Sequence, residues 1–294
     1  MLAALAAPAN ATAQEQSAVL VAPVLAGAPQ DTAEGGRNVF RDLGGGVVGL
    51  GVDALDFVTA PFHLDRRQAL QLGAVVAAGG LIFLFDQEIH DWVLRTQDDA
   101  PWKTVLEVGE FFEPLGLMNN TNKYWLAGIA VSYVIEEEAL MRVFQQLLFS
   151  HIISGVTMGV ARPLIGRERP HNADGPYEFN FREGTSFPSG HTSTIFEVAR
   201  VLSHNISWWP ASVALYGMAG SVAYQRMAGE FDPETGELTK DSPHWPSDVW
   251  FGAWWGVAVS NIIIGNDEDG ADPRIQTGVD SQTGALWMSL NITF

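Results

Sequence analysis

The chain contains no cysteine, which excludes disulfides, thiolate chemistry and cysteine-built metal sites. Lysine is nearly as scarce, with three among 294 residues. Acidic residues outnumber basic ones by 34 to 16, for a net charge of −18. That imbalance excludes nucleic acid as a partner. It would also repel an anionic substrate, so any phosphate site must supply its own local positive charge. Long uninterrupted apolar runs are few as well. Only residues 69–85 approach the roughly 20 needed to span a bilayer. What the chain does have is apolar bulk: 47% hydrophobic residues, with ten Trp and sixteen Phe, against 17% charged. This is rich for a soluble enzyme and lean for a multispan transporter, so contact with a membrane is expected.

The first residues, MLAALAAPANATAQ, resemble the end of a secretory signal, with Ala11-Thr12-Ala13 as the small-residue cleavage pattern but no basic leader. Residues 1–13 are therefore read as a signal-peptide remnant and 14–62 as a flexible extension rich in small and polar residues. Its last part, Gly44 to Phe62, has weak helical character. Apolar segments of helical length then follow at Ala69–Phe85, Tyr124–Ile135, Met141–Ala161, Thr192–Leu202, Pro210–Tyr224 and Asp248–Ile264. Six such segments predict an all-α six-helix bundle over residues 63–264. Residues 265–294 form a tail that opens as an acidic, Gly-rich loop. It ends in a period-two alternation (Leu286, Met288, Leu290, Ile292, Phe294) that reads as a strand of unassigned partner.

Three clusters combine charge with backbone suited to an oxyanion. Arg162-Pro-Leu-Ile-Gly-Arg-Glu-Arg169-Pro170 follows a helix end, and guanidinium forks match phosphate oxygens in pairs. Ser186-Phe187-Pro188-Ser189-Gly190-His191 opens the next helix. There Gly permits close backbone approach, and free N–H groups with the helix dipole favour an anion. Arg226 precedes His244-Trp-Pro-Ser-Asp248, and the four-residue spacing predicts a shared helical face on which a carboxylate fixes the imidazole tautomer.

Together these clusters resemble the type 2 phosphatidic acid phosphatase family, within the vanadium haloperoxidase-like superfamily. That family's pattern runs Lys-x6-Arg-Pro, then Pro-Ser-Gly-His, then Ser-Arg-x5-His-x3-Asp. Here the counterparts are Arg162-x6-Arg169-Pro170, Pro188-Ser189-Gly190-His191, and Gln225-Arg226 followed by His244-x3-Asp248, and the resemblance covers roughly residues 69–264. Three departures stand out. Arg162 replaces the family's Lys, Gln225 replaces its Ser, and seventeen residues rather than five separate Arg226 from His244. The insertion, broadly 229–241, is acidic and turn-rich and is expected to loop out over the site.

The resemblance implies a metal-independent, cofactor-free hydrolase of lipid-like phosphate monoesters or diphosphates, or of small phosphate esters. It gives His244 as nucleophile, Asp248 as the group orienting it and His191 as general acid and base. Arg162, Arg169, Arg226, Ser189 and the Gly190 N–H would hold the phosphate. It also implies a cell-envelope location, in or on a membrane, with the active site outside the cytoplasm. A signal peptide cleaved after residue 13 conflicts with six full spans, since the site would then fall inside; either an uncleaved signal or a bundle leaning on the membrane from outside resolves the conflict, and both leave the site outside the cytoplasm. Two other functions use nearly the same residues: a vanadium-dependent haloperoxidase, and a catalytically impaired lipid-binding relative.

Overall fold

A computed structural model describes residues 18–20, 51, 53–231, 235, 238–268, 275–279 and 286–292. The expected signal remnant at 1–13 lies outside them. The chain divides into two units, Leu50–Gly270 and a second made of Met1–Gly49 with Ala271–Phe294. The helical unit is thus wider than the expected 63–264, because a helical turn at 53–59 precedes it and its last helix runs on to Glu268.

All six apolar segments are helices, each longer than its apolar core: α1 (Arg66–Leu84), α4 (Met118–Val134), α5 (Glu138–Ile165), α6 (Gly190–Ile206), α7 (Trp209–Gln225) and α8 (Pro246–Glu268). Two more, α2 (Asp86–Thr96) and α3 (Trp102–Phe112), lie between α1 and α4. Helix α1 starts three residues before its apolar stretch because Asp65 and Gln68 form a reciprocal capping box. Helix α5 stops at Gly166, whose φ of 67° is the left-handed geometry glycine tolerates.

Helix α6 is the centre of the bundle. Its Val198 and Val201 join Leu147 of α5 and Ile264 of α8, while Ile195 and Ala199 pack on Ala219 and Val222 of α7. Gly252 and Gly256, one turn apart on α8, face the backbone carbonyls of Ser189 and Ser193 on α6, and a methyl at either would collide with them. This close approach draws the starts of α6 and α8 together. At the same end α3 presses on α7, where Gly109 leaves room for the Ser221 carbonyl. A 3-10 turn, Glu113–Gly116, then runs alongside His191.

The insertion is a two-stranded antiparallel ribbon, β2 (Glu230–Phe231) with β3 (Leu238–Lys240), rather than a free loop. Its feet are tied to α2 and the residue after it. Gln97 exchanges two hydrogen bonds with the Gly229 backbone at 2.9 and 3.0 Å, and His90 bonds Asp241 at 2.8 Å.

The second unit holds a three-stranded antiparallel sheet in the order β1 (Ala18–Leu20), β5 (Leu286–Ile292), β4 (Ile275–Val279). The alternating tail therefore is a strand. One of its partners comes from the extension expected to be flexible, and the other from the segment read as loop.

Candidate active site

Helix α8 begins at Pro246, so His244 precedes it and the helical spacing expected to pair it with Asp248 does not apply. His244 is 2% exposed. Its Nδ1 lies 2.8 Å from the Ser186 carbonyl oxygen and 4.0 Å from the nearer Asp248 oxygen. A carbonyl only accepts, so Nδ1 carries the proton and Nε2 keeps its lone pair. The expected direct contact from Asp248 is therefore corrected to an indirect one. Asp248 accepts from the Ser186 hydroxyl at 2.5 Å, and Ser186 in turn holds His244 through its carbonyl. Asp248 also reaches back to the Trp245 N–H at 3.0 Å, closing the start of its own helix.

Behind Asp248 stands Arg167, which is 1% exposed and saturated with partners. It donates to Asp248, to Asp86 and the Ser247 hydroxyl, and to the Pro176 carbonyl, all at 2.6–3.1 Å. Asp86 accepts in addition from the Ser247 N–H and hydroxyl. The Arg167 guanidinium is thus not available to a phosphate. It pins the α1–α2 corner and the 176 loop to the start of α8, with its plane against Phe83 and Trp245. Arg167, Asp86, Ser247 and Ser186 had no role by sequence. Arg167 lay in plain view within the Arg162–Arg169 motif, but nothing local separates it from its neighbours.

Across from His244, Ser189 occupies the N-cap of α6 with no side chain capping that end, so the first N–H groups of the helix face the site. Ser189 is fully buried. Its N–H is given to the Asp248 carbonyl, and its hydroxyl oxygen accepts from Thr192. Gly190 is needed here, because the Arg162 guanidinium lies where any Cβ would be. Arg162 is fixed in place by two donations to the Pro188 carbonyl at 3.0 and 3.1 Å.

Arg162, Arg169 and Arg226 all act on both histidines. Burial, then Arg226, Arg169 and Arg162, push His191 down to about 4. Burial, then the same three arginines, hold His244 well below the ordinary imidazole range, against a smaller opposing pull from the Ser186 carbonyl. Both rings are therefore neutral near pH 7. The fold gathers every residue singled out by the three motifs at one end of the bundle. Glu113, outside the motifs, and Gln225 complete the arrangement. Glu113 receives a donation from Arg226 at 2.6 Å, and Gln225, standing in the family's Ser position, accepts from the same Arg226 nitrogen at 3.3 Å. Among the described residues, no group of three or more His, Asp or Glu side chains is placed to hold a metal ion.

The family model of the PAP2 superfamily matches residues 144–231. Residues 144–231 of the chain are of the PAP2 superfamily type. The matched segment carries Arg162, Arg169, Pro188–His191 and Arg226, and it stops at the ribbon that separates Arg226 from His244. With the three motifs it marks the chain as a phosphoric ester hydrolase. Two solved structures are similar to the chain. Aquifex aeolicus LpxE is 20% identical, covering 61% of this chain and 94% of its own at a TM-score of 0.41. A transmembrane PAP2-type phosphatidylglycerolphosphate phosphatase from Bacillus subtilis is 18% identical, covering 76% and 97% at a TM-score of 0.42. No curated protein matches the chain.

Proposed function

We propose that this protein removes phosphate from a lipid-like monoester or diphosphate through a phosphohistidine on His244. The observation that carries the reading is the fixed tautomer of His244. Its Nδ1–H is spent on the Ser186 carbonyl, which leaves a neutral, unprotonated Nε2 facing three arginines and the open start of α6. In the proposed reaction Nε2 attacks phosphorus as the ester P–O bond breaks, and the leaving oxygen takes a proton from His191. Water then adds to phosphorus and gives a proton to His191, the P–N bond breaks, and inorganic phosphate leaves. Arg162, Arg169, Arg226 and the N–H groups at Gly190 hold the equatorial oxygens, where charge is spread in the transition state. His191, neutral in the free protein, gains its proton once the phosphate's charge offsets the three arginines around it. The same cage would hold vanadate in the phosphate position, so the reading carries inhibition by vanadate with it.

The substrate is inferred to be amphiphilic because the bundle suits a membrane. Helices α1 and α5 are long and apolar enough to cross one. Leu70, Val76, Leu81 and Leu84 of α1 and Val156, Val160 and Leu164 of α5 are exposed. Arg66 and Arg67 start α1 at the end away from the site, which by the positive-inside rule favours a site outside the cytoplasm. The test is hydrolysis by the purified protein of a panel of lipid and soluble phosphates in EDTA, with and without vanadate. Turnover of at least one lipid phosphate that vanadate suppresses is expected. Activity lost in EDTA and restored by a divalent cation would contradict the mechanism.

A further inference from the structure

His244 is anchored by a carbonyl, but the other imidazole of the site has a different neighbour. His191 is 28% exposed at its side chain, and its Nε2 points towards the carboxylate of Glu113 at 4.0 Å. The Glu113 oxygen concerned, Oε1, is the one that accepts from Arg226 at 2.6 Å, so a single carboxylate oxygen is shared between a cage arginine and the acid–base histidine. Glu113 is held there by backbone rather than by chance. It opens the 3-10 turn after α3, and that turn lies so close to α6 that a methyl on Gly116 would sit 3.1 Å from the His191 carbonyl oxygen. The other charged groups acting on His191 are all positive: Arg226 of α7, Arg169 of the 166–189 loop and Arg162 of α5.

We infer that Glu113 is a positioning residue for leaving-group protonation, holding the His191 ring and balancing its charge while it carries the proton. The inference rests on the phosphatase reading. A general acid must come within about 2.6–3.2 Å of the atom it protonates. With Nε2 as donor, the leaving oxygen therefore lies beside Glu113. As His191 takes up a proton inside a ring of three arginines, the Glu113 carboxylate is the opposite charge facing it. The bond to Arg226 keeps that carboxylate aimed at the ring.

The test is kcat/KM of Glu113→Gln on an alkyl phosphate and on p-nitrophenyl phosphate, together with Glu113→Asp. This parameter stops at phosphoryl transfer, so phosphoenzyme hydrolysis does not blur it, and the ratio of the two substrates does not depend on how much variant is folded. Glu113→Gln is expected to lose about tenfold more on the alkyl ester, because p-nitrophenolate leaves without a proton. Glu113→Asp, which keeps the charge, is expected to recover part of that difference. The alkaline limb of the alkyl-ester kcat profile, which reports His191 in the complex, should move to lower pH in Glu113→Gln, since His191 then loses its proton sooner. Equal losses on both esters would overturn the inference and leave Glu113 as an anchor for Arg226 only. Inactivity of the unaltered protein on every phosphate tested would instead overturn the phosphatase reading beneath it.

Discussion

The two histidines sit at opposite extremes of the same site. Behind His244 the polar groups form a chain of fixed partners. The ring is tied to Ser186, Ser186 to Asp248, Asp248 to Arg167, and Arg167 to Asp86 and Pro176, all with the side chains buried. Around His191 the ring is partly open, its Glu113 neighbour is at 4.0 Å, and the carboxylate itself is about a third exposed. The difference follows the chemistry proposed for each. A nucleophile attacks the same atom, phosphorus, in every substrate and gains from a rigid mount. A general acid must meet a leaving oxygen whose surroundings change with the substrate, and a half-open ring accommodates that.

Dismantling the rigid side is expected to produce the largest effect. Arg167→Met strips the buried Asp86 and Asp248 of their guanidinium, and breaking a buried ion pair from one side costs about 3–5 kcal/mol. Thermal unfolding should show a drop of several degrees, accompanied by loss of activity on every ester alike. Arg167→Lys should rescue little, since one ammonium cannot reproduce a fork that serves Asp86, Asp248 and the Pro176 carbonyl at once. A stable and active Arg167→Met protein would remove the distinction between the two sides.

An intermediate effect is expected in the pH profile. The free-enzyme profile, kcat/KM corrected for the substrate's own ionisation, reports groups in the unliganded protein. Burial and the arginines lower His191 to about 4 and His244 well below the usual range, so both rings stay neutral as pH falls through 6. The acid limb, set by protonation of the His244 nucleophile, should therefore lie well below 6.5. Arg226→Gln removes one of the positive charges that oppose protonation, so its limb should move upward. A limb already at 6.5 in the unaltered protein would contradict the proposed cage.

The smallest effect is expected from the ribbon. Shortening residues 232–237 leaves the Gln97 and His90 tethers in place, and loop-closure cost changes by only about 0.6 kcal/mol per doubling of length. Hydrolysis of a small soluble ester should persist within about twofold, while preference among bulky lipid phosphates should shift. Loss of small-ester activity in a folded protein would make the ribbon part of the machinery around His191 and His244.

How much of this was legible in the sequence depended on how local the signal was. The six apolar helices were readable because each buries or exposes a continuous apolar run. Helices α2 (DQEIHDWVLRT) and α3 (WKTVLEVGEFF) were not, because charges interrupt their apolar positions and the segments are short. The motif residues could be found because each cluster is contiguous and sits at a helix end. Their supports could not: Ser186 meets Asp248 across 62 positions, Arg167 meets Asp86 across 81, and Glu113 meets Arg226 across 113. The expectation that Asp248 touches His244 failed for a physical reason. The spacing of four has its helical meaning only inside a helix, and Pro246 starts α8 two residues after the histidine. The alternating tail announced a strand, but alternation carries no information about partners, which are drawn from residues 18–20 and 275–279.

The claim at the centre of this account is that Nε2 of His244 carries the phosphoryl group. It is tested most directly by rapid acid-free quenching of the protein during turnover of a labelled phosphate ester, followed by mapping of the modified residue. The account predicts an acid-labile, base-stable label on His244 that is absent from His244→Ala. With p-nitrophenyl phosphate the same label should still form in His191→Ala, because that leaving group needs no proton. Label retained by His244→Ala, or turnover by that variant at an undiminished rate, would contradict it.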